Sequence, residues 1–118
     1  MTDIQHFDQN HRRSRAVVYG GLVFLAGQVA NDPTGDIRKQ AREALAKVDD
    51  MLAQAGTDKS RVLNATIWLR DMQDYDDFNE VWDAWVVQGQ TPARCCGKVS
   101  LADDRQRVEV MIVAAARA

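Results

Sequence analysis

The segment from Asp36 to Gly56 constrains this fold more than any other. Ile37, Ala41, Ala44, Leu45, Val48, Met51, Leu52 and Ala55 recur at spacings of three and four, and charged residues fill most positions between them. This is a single apolar stripe on a helix, opened by Asp36 as N-cap and closed by Gly56 at the C′ position. A stripe of that width needs a flat apolar surface to cover, and the flanking segments read as strands that can supply one.

Upstream, RAVVYGGLVFLAGQVA places two β-branched and aromatic runs around Gly20-Gly21, a hairpin turn signal. IQHF at Ile4 to Phe7 adds a short edge strand, and NDPTGD is a loop. Downstream, Leu63, Ala65, Ile67 and Leu69 alternate with Asn64, Thr66 and Trp68, giving a strand with one apolar face. Asp74 caps a second helix in which Phe78, Val81, Trp82 and Trp85 form the stripe and Gly89 ends it. Two tryptophans three apart on a helix read as core. ARCCGKVSL and RVEVMIVAA close the chain as strands. The expected architecture is a single α+β domain over residues 1–118. Its order is β-β-β-α-β-α-β-β, with both helices on one face of a mixed sheet.

The last two strands are expected to form a hairpin joined by ADDRQ, and parity decides how they pair. Apolar must face apolar, so Leu101 pairs with Val108 and Val99 with Val110, around a loop of Asp103 to Gln106. This register sets Glu109 opposite Ser100 and on the face of Arg94, Cys96 and Lys98. At about 3.3 Å per residue, Ser100 and Arg94 are then roughly 20 Å apart, too far for the two charges to meet within one chain. The same face carries Met111, Val113, Trp68 and Thr66, with no helix to cover it. Such a face calls for another protein surface, and self-association is the economical one.

Composition removes several alternatives. A chain of 118 residues, 46% hydrophobic and 27% charged, is that of an ordinary globular protein. Its formal charge of −2 argues against nucleic acid as a partner. No apolar run reaches membrane-span length, so no membrane partner is expected. HRRSR at His11 to Arg15 is a local basic exception, read as a solvated loop. Consecutive Cys95 and Cys96 point to opposite sides of a strand, poorly placed for a shared metal or disulfide. His6 and His11 lack a ligand set at metal spacing, so zinc is not expected. With no basic-then-apolar leader and no cysteine framework, a reducing cytoplasm is the expected compartment.

Together, GGLVFLAGQVA, AGTDKSRVLNATIWLRDM, FNEVWDAW and TPARCCGKVSL…RVEVMIVAA resemble the RidA (YjgF) family, from about Val17 to Ala115. The resemblance implies a chorismate-mutase-like fold and a homotrimer with clefts between subunits. It also implies hydrolysis of reactive 2-imino and enamine acids to 2-keto acids and ammonia, with no cofactor. By the same resemblance, Arg94 holds the substrate carboxylate, Cys96 lies beside it, Glu109 positions the attacking water, and Asn79 sits near the cleft. Ala26 and Gly27 match the stretch where many active members carry a serine before Gly-Gln. Their N-terminal segment also supplies a tyrosine, where this chain has HRRSR; Tyr19 is too close to Gly27 to match it. The pocket is expected to differ accordingly.

The implied reaction asks little of a protein. An iminium carbon is already electrophilic, so the site must grip the carboxylate and deliver water. Arginine supplies a bidentate fork, and a glutamate can take the proton from water as it attacks. Cys96 reads as a small cleft-lining residue. The alternative is a trimer that binds or senses a 2-keto acid without turnover.

Overall fold

The computed structural model describes residues 3–117, and its elements follow the expected order. They are β1 (Gln5–Gln9), β2 (Ser14–Tyr19), β3 (Leu22–Leu25), α1 (Ile37–Gln54), β4 (Val62–Leu69), α2 (Tyr75–Trp85), β5 (Ala93–Lys98) and β6 (Val108–Ala115). All six strands join one mixed sheet in the order β1-β2-β3-β6-β4-β5. The fold is α+β and chorismate-mutase-like, as the sequence indicated.

Local signals explain the local elements. Gly20 and Gly21 take φ of 60° and 81°, which a two-residue hairpin turn requires, and they set Tyr19 against Leu22. The Asp36 carboxylate accepts from the Lys39 backbone N–H at 2.9 Å, and Gly56, at φ 81°, ends α1. Every residue of the apolar stripe is buried except Ala55, which is half-buried against the same core. Two local expectations shift. A bulge between Val62 and Asn64 turns Leu63 outward, 47% exposed, and buries Val62 in its place. A 3-10 turn over Met72–Asp74 runs into α2 with Asp71 as its cap, so the Asp74 carboxylate caps nothing and instead accepts from Arg107 at 3.1 Å. Helix α2 stops at Trp85, ahead of Gly89, which serves the following turn.

The larger correction concerns the C-terminal strands, which do not form a hairpin. β4 lies between them, antiparallel to β6 and parallel to β5. The apolar partners of Val108, Val110 and Ile112 are Leu69, Ile67 and Ala65, not Leu101 and Val99. Parity sorted the faces of β6 correctly, but the partner was wrong, and with it the face expected for Arg94 and Cys96. β4, α2 and β5 form a parallel crossover unit, whose helix bridges two strands running the same way. β3, α1 and β4 form a second crossover, with β6 inserted between its strands.

Both helices cover one side of the sheet. There Ala16, Val23, Leu25, Ala65, Ile67, Leu69, Val108, Val110, Ile112 and Ala114 meet the helical stripes in one core. The buried amide of Gln40 fastens a loop to this layer. Its Nε2 donates to the carbonyls of Pro33, Gly35 and Arg105, and its Oε1 accepts from the Arg107 N–H at 2.8 Å. That clamp fixes the entry to β6 two residues before Glu109.

Candidate functional site

Parallel pairing decides where Arg94 points. It stands beside Ala65 in the β4–β5 register, and Cys96 stands beside Ile67, so both side chains lie on the helix-covered side. Cys96 packs against the core, and the Arg94 guanidinium carbon sits 5.3 Å from the ring centre of Trp82 on α2. β5 is the edge strand, so Arg94 stands at the sheet margin, half-buried. Among the described residues no carboxylate lies within ion-pair distance of it.

Glu109 occupies the other side, contrary to the expectation of a shared face. It pairs with Trp68, and its neighbours there include Thr66, Met111 and Val113. A backbone bridge holds β6 against the segment after β3: Gln28 N–H donates to the Val110 carbonyl at 2.8 Å, and Val110 N–H donates back at 3.0 Å. Gly27 is thereby set against the Glu109 carboxyl group. A methyl group there would overlap Oε2 and come within 2.7 Å of Cδ, so any larger residue would have to displace the end of the Glu109 side chain. The Gln28 amide donates to the Ala26 carbonyl at 2.8 Å and accepts from Arg15 at 3.1 Å, which stiffens the Ala26–Gln28 stretch.

Arg15 thus leaves the solvated loop expected of HRRSR. The loop proper is His11 to Arg13, where the Asn10 side chain accepts from the N–H groups of Arg12 and Arg13, while Ser14 and Arg15 begin β2.

Electrostatics separates the roles. Burial alone raises the Glu109 carboxyl above its ordinary range, with no charged partner to offset it. Burial also pushes the Cys96 thiol up; Arg94 pulls it down, but by less. A thiol held protonated suits a cleft wall rather than a nucleophile. Asn79, one turn before Trp82 on α2, has a buried Oδ1 without a hydrogen-bond partner among the described residues. Ala26 presents only a methyl group.

The structure therefore brings Gly27 to Glu109 and puts Arg94 and Cys96 together on the opposite side. Arg94 and Glu109 differ by three residues along the strands and two strand spacings across, about 14 Å. The strand–helix–strand order of β4, α2 and β5 was the available signal for parallel pairing. Trp82, read only as core, also carries Arg94. Among the described residues there is no cluster of three metal-ligating side chains, and no helix is long and apolar enough to cross a membrane.

A six-stranded mixed sheet in the order β1-β2-β3-β6-β4-β5, backed by two helices, defines a protein of the YjgF-like class. The chain belongs to the Endoribonuclease L-PSP family, also known as YjgF/RidA, whose model matches residues 4–116. It is similar to the crystal structure of a YjgF family member from Neisseria meningitidis, with 45% identity, a TM-score of 0.96, and coverage of 99% of this chain and 98% of that one. A RutC family protein from Haemophilus ducreyi is 38% identical over 112 residues, 95% of this chain and 96% of the relative. The mouse protein named 2-iminobutanoate/2-iminopropanoate deaminase is 32% identical over 107 residues, 86% of this chain and 78% of that protein.

Proposed function

We propose that this protein hydrolyses small reactive 2-imino acids to 2-keto acids and ammonium, in clefts between the subunits of a cytoplasmic homotrimer. One observation carries the reading: a half-buried arginine at a sheet edge, with no acidic partner among the described residues. Such a guanidinium is a ready bidentate receptor for a carboxylate. The similarity to the mouse deaminase supplies the substrate class.

Arg94 and Glu109 of one chain stand about 14 Å apart between backbone positions and on opposite sides of the sheet, so a three- or four-carbon acid cannot touch both. The working site therefore pairs Arg94 of one protomer with Glu109 of its neighbour, docked through the open apolar face. Arg94 grips the carboxylate while Cys96, Asn79, Ala26 and Gly27 shape the pocket. Glu109 takes a proton from water as the water oxygen bonds to the iminium carbon. That proton then passes to nitrogen, and ammonia leaves with the C–N bonding pair as the hydroxyl oxygen forms the carbonyl. The hydroxyl proton is transferred to the departing ammonia, giving 2-keto acid and ammonium. A raised carboxyl pKa suits a group that must accept a proton and return it.

The methyl group of Ala26 favours a second reading, capture of a 2-keto acid without turnover. Freshly generated 2-iminobutanoate separates the two. Purified protein is expected to speed its loss, and Arg94→Ala to reduce that rate about 100-fold or more. No acceleration, with keto-acid binding intact, selects the sensor. An Arg94→Ala variant unchanged in both rate and binding refutes the site.

A further inference from the structure

We infer that Trp82 is a positioning residue for anion capture: its indole face, rather than an acidic side chain, holds the Arg94 guanidinium in place. The inference rests on the reading of Arg94 as the carboxylate grip. A carboxylate neighbour would spend the in-plane N–H donors that a ligand needs. An aromatic ring takes the flat face of the guanidinium instead and leaves its donor edge unspent. Arg94 lies over that ring, its guanidinium carbon 5.3 Å from the ring centre, with no ion pair among the described residues.

The ring is itself held. Trp82 is 4% exposed, with Phe78 at 6.2 Å and Trp85 at 5.3 Å between ring centres. The Trp85 indole N–H donates to Asp49 of α1 at 3.0 Å. Lys59 lies over the Trp85 ring at 5.3 Å and donates to its carbonyl at 2.6 Å. The platform under Arg94 is thus anchored to α1 and to the turn before β4. Removing the ring should weaken capture of the carboxylate without slowing the chemistry of substrate once bound.

The test is calorimetric binding of pyruvate, beside imine turnover, for Trp82→Leu, Trp82→Phe and Arg94→Ala. Trp82→Leu is expected to raise Kd and KM about 3- to 30-fold with kcat within about twofold, and Trp82→Phe to recover most of the loss. Val86→Ala, a core truncation just past the end of α2, is expected to lower Tm and leave Kd unchanged. A folded Trp82→Leu protein that binds pyruvate as tightly as the parent overturns the inference, as does a Trp82→Phe protein as weak as the leucine variant. Should the leucine variant not fold, unchanged tryptophan emission when the parent is saturated with pyruvate overturns it as well. Arg94→Ala that still binds pyruvate would instead sink the reading of Arg94 itself, and a parent that binds none would sink both.

Discussion

The two faces of the sheet come from the same strands and have opposite fates. On the helix-covered side, Val23, Ile67, Leu69, Val110 and Ile112 are at most 1% exposed. On the other side, Phe24 and Tyr19 are 43% and 46% exposed, and Trp68, Met111 and Val113 are only half-buried. The first face is completed by its own chain. On the second, no helix among the described residues covers these apolar side chains. The proposed chemistry divides along the same line, with Arg94 at the margin of the covered side and Glu109 within the open one.

Three substitutions break or sharpen this contrast. Ile67→Ala on the covered side is expected to cost about 2–5 kcal/mol, read from urea unfolding. Phe24→Asp on the open side should leave the sheet folded but shift sedimentation toward monomer; a variant that sediments like its parent would remove the open face from the interface. Gly27→Ala comes next. Its new methyl group must displace the Glu109 carboxyl group, so turnover is expected to fall about 10- to 100-fold, with pyruvate affinity far less affected.

The smallest effect is in pH. Burial raises the folded-state pKa of Glu109, so the cost of ionising it is absent below its unfolded value and grows as pH rises through the raised one. Unfolding the parent and Glu109→Gln between about pH 4 and about pH 7 should show the parent losing stability relative to the variant as pH rises. Parallel curves would mean the carboxyl group is not buried enough to matter.

Helix α1 was legible in full because its evidence is local: stripe, cap and terminal glycine lie within one stretch of chain. The Gly20-Gly21 hairpin was legible for the same reason. Alternation also sorted β6 correctly into Val108, Val110, Ile112 and Ala114 on one side and Glu109, Met111 and Val113 on the other. The site was legible only in part. Gly27 meets Glu109 through a bridge between segments far apart in sequence, and Trp82 reaches Arg94 because α2 packs over the edge strand.

Residue order by itself determined the elements, their amphipathic faces and the family, since helical and strand periodicities are set by the backbone geometry of each segment alone. Tertiary structure alone decided that β4 separates β5 from β6, and therefore that Arg94 and Glu109 look out from opposite sides. An apolar strand face will accept any complementary neighbour. Which neighbour it receives depends on the crossovers that the packed helices impose, a property of the closed fold that no stretch of sequence contains.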